Sequence, residues 1–151
     1  MLWRQAYQTK VLRDLDCPVT QTVSLDGSSI QPTVEVIIGG FGFDCLAEQT
    51  VWWKLFQSDF PGDPHVRRAF IVGSVLSSDI ELAQSLMPPS EAKRSYFLED
   101  PNQFWRELIE PDHPGRGFTA IIDQGKILLL MIGPPTEDAW EEFSNAWQAR
   151  T

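Results

Sequence analysis

Cys45 is the side chain of this sequence best placed to do chemistry, because it follows a strand-like apolar run at residues 34–38 and precedes a helical pattern. A thiol at the start of a helix meets unpaired backbone N–H groups and the positive end of the helix dipole, which both favour the thiolate. The thiolate is the form that attacks peroxides and disulfides. The neighbouring Asp44 opposes ionisation through its negative charge. Cys45 is therefore either a reactive thiol or a small buried apolar side chain, and we favour the buried interpretation.

The other groups that could carry chemistry form no recognisable centre. Cys17 is a candidate resolving thiol for Cys45 only if the two Cα atoms approach within about 7 Å, and we expect that Cys17 forms no disulfide. Two Cys and two His without ligand spacing predict no metal site. The Asp112-His113 pair lacks a serine at nucleophile-elbow spacing, and the glycines at 39–42 lack the residues of a phosphate-binding loop. We expect neither a metal ion nor a cofactor.

The composition fits one globular domain over residues 1–151. Hydrophobic residues make up 42% and charged residues 22% of the chain, which is typical of a folded protein rather than a disordered one. A net charge of -9 repels phosphate, so we expect no binding to nucleic acid or to an anionic membrane. No signal peptide and no apolar stretch of the about 20 residues that span a bilayer are recognised. We expect a cytoplasmic protein whose partner is another protein or a second copy of itself.

Strands and helices alternate along the chain. Central strands are recognised by nearly continuous β-branched runs, and helices by apolar spacings of three and four residues. A helix at 1–16 rests on the thin stripe of Leu12 and Leu15, and Gly125 supplies the positive φ of a hairpin turn. The predicted strands are 20–25, 29–33, 34–38, 68–76, 94–98, 118–122 and 126–132. The predicted helices cover 1–16 and begin again near 47, 78, 101 and 137.

Capping residues mark the starts of four predicted helices. Asp44 is the predicted cap of the first long helix. Ser78 and Glu81 form a capping-box pattern for the next one. Asp100 and Thr136 are the predicted caps of the last two helices, so each helix has a polar side chain that defines its start.

Large apolar side chains predict how the helices pack. Leu82, Ala83 and Leu86 form the apolar side of the helix after Ser78. Trp52 and Trp53 point about 100° apart around their helix. One of them is expected in the core, and the other either packs there too, which we favour, or meets a partner. The final helix is predicted to bury one stripe, formed by Trp140, Phe143 and Trp147.

Three segments resemble the thioredoxin-like superfamily, and within it the alkyl hydroperoxide reductase and thiol-specific antioxidant branch that includes the peroxiredoxins. The first, Phe41-Gly-Phe-Asp-Cys-Leu-Ala-Glu48, is similar to the Phe-Thr-Phe-x-Cys-Pro-x-Glu that often surrounds the reactive cysteine of peroxiredoxins. The second, at 97–102, is similar to a strand, Asp-Pro and helix segment of that group. The third, at 116–127, looks like its Arg-Gly-x-Phe-Ile-Ile-Asp-x-x-Gly-x-Ile hairpin.

The resemblance implies an α/β fold of the thioredoxin-like type. This fold is a three-layer sandwich with a mixed central sheet and helices on both faces, here with a short N-terminal β ribbon in front. The resemblance also implies that the loop before the hairpin lies beside the reactive turn. His113 or Arg116 would then approach Cys45 and stabilise its thiolate, so Cys45, His113 and Arg116 are the candidate catalytic residues.

The chain departs from the family's pattern at the positions that support the reactive cysteine. Glu48 stands where thioredoxins carry their second cysteine, Gly42 where peroxiredoxins carry Thr or Ser, and Ile38 where peroxiredoxins carry a proline. These departures favour a redox-inert thioredoxin-like protein that acts as a protein-binding or assembly module. The match around Cys45 favours the alternative, a single-cysteine thiol redox protein such as a peroxidase or a thiol reductase. The sequence leaves open whether the chain is an enzyme.

Overall fold

One sheet organises the part of the chain that the structure describes. The structure is a computed structural model and describes residues 9–17, 22–25, 34–41, 45–72, 76–100, 103–109 and 117–150. The strands are β1 (Lys10–Asp16), β2 (Thr22–Ser24), β3 (Val34–Phe41), β4 (Val66–Val72), β5 (Ser95–Glu99), β6 (Phe118–Asp123) and β7 (Lys126–Ile132). The helices are α1 (Leu46–Asp59), α2 (Ser77–Leu86), α3 (Pro89–Ala92), α4 (Phe104–Ile109) and α5 (Glu137–Gln148).

The sheet is mixed, with the strands in the order β1-β7-β6-β3-β4-β5-β2. Strands β3, β4 and β5 run parallel to one another, and the other neighbouring pairs are antiparallel. Parallel neighbours need a crossover, and α1 and the α2–α3 segment supply the two crossovers. The predicted α/β architecture is confirmed. No helix of the described residues is both long enough and apolar enough to cross a membrane.

Helices cover both faces of the sheet, as expected for a three-layer sandwich. On one face, Trp52 and Trp53 of α1 lie in one apolar cluster with Phe143 and Trp147 of α5. On the other face, Trp105 of α4 packs against the strands. Both adjacent tryptophans of α1 are therefore core residues, and the predicted stripe on α5 is buried at its last two positions.

Strand β3 extends further than the sequence predicts. The prediction ends at Ile38, but Gly39, Gly40 and Phe41 continue the parallel pairing with β4. Gly39 is needed there because a Cβ atom at this position would lie 2.7 Å from the ring of Phe118. The glycines thus continue the strand and allow β6 to approach, rather than ending the strand.

The predicted helix at 1–16 is wrong over residues 10–16, which form β1. Leu12 pairs with Leu130 and Leu15 pairs with Ile127, so both leucines face the same side. Asp14, with φ of 54°, interrupts the alternation of the strand and places residues three apart on one face. Apolar residues three apart are also typical of a helix, which explains why the sequence predicts one here. Strand β2 confirms part of the predicted strand at 20–25, and the return strand at 29–33 lies outside the described residues.

Helix α2 differs from its prediction in its cap and in its buried side. The cap residue is Leu76, and its backbone N–H donates to the carboxylate of Asp79 at 3.0 Å. Ser78 and Glu81 do not form the predicted box. Of the predicted apolar side only Ala83 is buried, while Leu82 and Leu86 are exposed. The helix touches the sheet along a narrower stripe than its composition indicates.

Two predicted caps and one turn are confirmed. The carboxylate of Asp100 accepts hydrogen bonds from two backbone N–H groups in the first turn of α4. The hydroxyl of Thr136 accepts the N–H of Ala139 at 3.1 Å where α5 begins. Gln124 and Gly125 have φ of 49° and 83°, the positive pair that a two-residue type I′ hairpin turn requires.

Candidate functional site around Cys45

Cys45 lies at the start of α1, at the edge where the parallel strands end. Its backbone holds the N-cap position, with φ of -89° and ψ of 2°, and its carbonyl oxygen accepts the backbone N–H of Gln49 at 3.0 Å. The residue is 1% exposed. The predicted cap Asp44 lies outside the described residues. The expected place of Cys45 at a helix start is thus observed, but the thiol is covered.

Gln49 joins this thiol to the sheet. It lies one turn after Cys45 on the same face of α1. Its Nε2 donates to the Sγ of Cys45 and to the carbonyl oxygen of Ala69, both at 3.2 Å. Its Oε1 accepts from the Nε of Arg68 at 3.3 Å. Because Gln49 is completely buried, these bonds replace the water that its amide loses on folding.

Arg68 is a buried cation that projects from β4 toward α1. Its Nη1 donates to Oε2 of Glu91 at 3.2 Å, and its Nη2 donates to the hydroxyl of Thr50 at 3.3 Å. Its Cζ atom lies 5.9 Å from the ring centroid of Trp53. A buried charge is stable only when it is paired and hydrogen-bonded, and these contacts provide both. The Arg68 cluster, as we name it, consists of Cys45, Gln49, Thr50, Arg68 and Glu91.

The surroundings of Cys45 work against its thiolate. Burial is the largest influence and raises the pKa of Cys45 to about 11, although the hydrogen bond from Gln49 and the charge of Arg68 both lower it. At pH 7 about one such thiol in ten thousand is ionised, against about 3% of an ordinary cysteine. The favourable neighbours therefore do not compensate for the loss of water.

Glu48 is tied to the backbone of the segment that enters β6. Its Oε1 accepts the N–H of Gly117 at 2.8 Å. The approach is close, since a Cβ atom added to Gly117 would lie 3.1 Å from the Cβ of Glu48. The carboxylate that occupies the place of the second thioredoxin cysteine thus joins α1 to the sheet.

Of the three other residues predicted for the site, the structure describes Cys17 but not the remaining two. His113 and Arg116 lie outside the described residues. The backbone N–H of Cys17 donates to Gly125 at 2.8 Å, in the turn beside the start of β3. The eight residues of β3 span roughly 25 Å, so Cys17 and Cys45 lie too far apart for a disulfide. Burial and the charge of Glu35 raise the pKa of Cys17 to about 11.

Gln49 and Arg68 are the site residues that the sequence analysis missed. Gln49 was signalled by its spacing of four residues from Cys45, which places both on one face of a helix. The signal for Arg68 was a charged residue next to the apolar run that predicts a buried strand, since a charge is rarely buried unless it is paired. Over the described ranges no group of three or more His, Cys, Asp or Glu side chains could hold a metal ion.

Comparison with known proteins finds similarity in structure but not in sequence. No protein-family model matches the chain, and no curated protein is significantly similar to it. A thiol peroxidase from Chromobacterium violaceum superposes with a TM-score of 0.56 at 11% identity, over 91% of this chain and 87% of that one. BsSco, a member of the Sco family of cytochrome c oxidase assembly proteins, superposes with a TM-score of 0.55 at 14% identity, over 93% and 95%.

A third solved structure is the mitochondrial 2-Cys peroxiredoxin from Plasmodium falciparum, with a TM-score of 0.51 at 15% identity over 92% of this chain and 96% of that one. All three are thioredoxin-like proteins, as the segments around Cys45 and the hairpin predict. Structural similarity at such low sequence identity shows the fold and not the activity. These superpositions, together with the mixed sheet, its two covered faces and a cysteine at the start of α1, establish that the protein has a thioredoxin-like fold.

Proposed function

We propose that this chain is a redox-inert thioredoxin-like protein that acts by binding another protein. The observation that carries the proposal is the state of Cys45, which is 1% exposed and has a pKa raised to about 11 by burial. A nucleophilic cysteine needs a thiolate and access for its substrate. Cys45 has little of either.

The position of Glu48 supports the same proposal. Thiol–disulfide exchange by a Cys-x-x-Cys pair needs a second thiol to resolve the mixed disulfide. Here that position holds a carboxylate bound to the N–H of Gly117 at 2.8 Å. Cys17 lies at the opposite end of β3 and cannot replace the missing thiol. The elements of a redox centre serve instead to hold α1 on the sheet.

The binding part of the proposal is supported by apolar side chains that the core does not use. Leu76, Leu82 and Leu86 are 60%, 48% and 49% exposed, and all three lie on α2 or at its start. Exposed leucines scattered singly are ordinary, whereas contiguous apolar side chains mark an interaction surface, and Leu82 and Leu86 adjoin each other because they lie four residues apart.

The test is the pH dependence of alkylation of Cys45 by iodoacetamide in a Cys17→Ser chain. In the folded chain at pH 7 we expect a rate at least about a hundredfold below that of the same chain in denaturant, because the thiolate is depleted. A Cys17→Ser, Cys45→Ala chain measures the background. An apparent pKa well below about 8.5 would contradict the redox-inert proposal.

The second candidate is a single-cysteine thiol redox protein that uses Cys45. The observation that favours it is the pair of groups that lower the pKa of this thiol, the amide of Gln49 at 3.2 Å and the charge of Arg68. Once exposed, the thiolate would attack the O–O bond of a peroxide, releasing an alcohol or water and leaving a sulfenic acid that an external thiol reduces. Dimedone labelling of the Cys17→Ser chain after peroxide treatment, absent from the double variant, would support this candidate.

A further inference from the structure

Helix α2 carries two apolar faces where a surface helix needs one. Its inner face consists of Ile80, Ala83 and Met87, which pack in a cluster under the helix. Leu82 and Leu86 lie four residues apart and therefore adjoin each other on a different face, about 6 Å apart. Both are about half exposed. The inner face is sufficient to hold the helix, so the outer leucines are available to a partner.

The inner face of α2 is held against the sheet by a buried cluster and by one hydrogen bond. The buried cluster under α2 contains Leu25, Phe70 and Phe97 from the strand side. The side chain of Gln84 donates to the carbonyl oxygen of Leu25 at 2.6 Å and fixes the rotation of the helix. A rotation that buried Leu82 would break that bond and remove Ala83 from the sheet. We name Leu82 and Leu86 the α2 leucine surface.

The charge around this surface indicates the chemistry of its partner. Between residues 69 and 92 the sequence has no Lys, Arg or His, and α2 itself carries the acidic residues Asp79 and Glu81, whereas Glu91 is already paired with Arg68. Asp79 lies three residues before Leu82 and thus next to it on the helix. The whole chain has a net charge of -9. A cationic partner is attracted to such a surface, whereas an anionic one is repelled.

We propose that the α2 leucine surface binds an amphipathic basic helix of another protein. Its aliphatic side chains would cover the leucines, and its flanking Lys or Arg side chains would face Asp79 and the surrounding negative charge. A second copy of this chain would bring the same acidic helix against itself, and a membrane with anionic lipids would be repelled. The inference rests on the proposed function and names the surface and the partner class.

The test uses a fluorescein-labelled synthetic helix with leucine on one face and lysine elsewhere, followed by fluorescence anisotropy. We expect the wild-type chain to bind it at least tenfold more tightly than a matched peptide with glutamate in place of lysine. The chain with both Leu82→Ser and Leu86→Ser should lose at least tenfold in affinity. Val51→Ser is the matched control, because Val51 is 49% exposed on α1, and it should bind like the wild type.

Three results would overturn the inference: no binding, equal binding of both peptides, or equal losses in the leucine and Val51 variants. Light scattering that shows a dimer in the wild type and a monomer in the leucine variant would also overturn it, in favour of self-association. Circular dichroism verifies that every variant is folded. Failure here with an unreactive Cys45 refutes this inference alone, whereas a reactive Cys45 with intact peptide binding refutes only the redox-inert proposal.

Discussion

Helix α1 buries Gln49, Trp52, Trp53 and Phe56 against the sheet, whereas α2, which begins at the same edge, buries only Ala83. Both helices follow a parallel strand of the sheet, so their places in the fold are equivalent. On α1 the cysteine, the polar side chains and the large rings are all used to attach the helix. On α2 two large side chains, Leu82 and Leu86, remain at the surface. Helices in equivalent places of one fold therefore differ in how much of their apolar surface they bury.

The largest effect is expected at Trp52. Trp52→Ala should lower the free energy of unfolding by about 3–5 kcal/mol, since it removes a fully buried ring. The ring of Phe143 lies 6.0 Å away, and the indole Nε1 donates to Gly133 at 2.9 Å. Urea denaturation measures the change. Val51→Ala, one residue earlier and exposed, should change stability by less than about 0.5 kcal/mol. A loss below about 1 kcal/mol at Trp52 would contradict the anchoring of α1.

A smaller loss is expected when Arg68 is replaced. Arg68→Met removes a cation that joins β4 to α1 and α3 and leaves the Oε1 of Gln49 unpaired in the core. We expect a loss of about 2–4 kcal/mol in the free energy of unfolding, because one partner of a buried pair is removed. Arg13→Met provides the control: Arg13 pairs with Glu142 at the surface, and its loss should cost less than about 1 kcal/mol. Equal losses in both variants would show that burial of the Arg68 cluster does not increase the contribution of its ion pair to the free energy of unfolding.

The next effect depends on pH and concerns Asp63, between α1 and β4. Burial by itself would raise the pKa of Asp63, but hydrogen bonds from the backbone and ring of His65 and from Trp147 hold it below its ordinary value. A lowered pKa means that the carboxylate stabilises the fold above the unfolded pKa of about 3.9 and that this contribution is lost as the pH falls. Asp63→Asn should therefore lower the free energy of unfolding by about 1 kcal/mol at pH 7.

The difference between wild type and Asp63→Asn should shrink as the pH falls below about 4. Denaturant titrations at pH 7 and at pH 3 measure it. A difference that is constant with pH would mean that the variant acts through packing rather than through the charge of Asp63.

The smallest effect is expected on the outer face of α2. Leu82→Ser should change the free energy of unfolding by less than about 0.5 kcal/mol, because the side chain is half exposed. Ala83→Val, at the adjacent buried position, should cost about 1–3 kcal/mol through overpacking. A large loss at Leu82 would mean that α2 packs on its outer face and would end the contrast between the two helices.

Regular patterns made much of the fold predictable from the sequence. The β-branched run of β3 and the caps Asp100 and Thr136 depend on local physics, so the sequence displays them directly. The prediction for β1 was wrong because Leu12 and Leu15 lie three residues apart in the sequence, as apolar residues of a helix do. The left-handed backbone of Asp14 allows both leucines to face the same side of a strand. The backbone conformation of one residue thus decides whether the segment at 10–16 is read as a helix or as a strand.

The candidate site was less predictable because its partners come together only in the folded chain. Glu91 reaches Arg68 from α3, and Gln49 reaches it from α1. No periodicity in the sequence connects these positions. The place of Cys45 at a helix start was predictable, but its degree of burial depends on the neighbouring elements, and burial determines its chemistry.

The pairing of β1 has a consequence for the order in which this protein folds. Lys10 lies opposite Ile132, and the hydroxyl of Thr9 donates to Pro134, 125 residues later in the chain. Contacts between such distant positions slow folding because a long loop must close first. During synthesis β1 must therefore wait for β7, and until it docks β7 forms an open sheet edge. An open edge of this kind can pair with another chain, so docking of β1 closes a site of edge-to-edge aggregation.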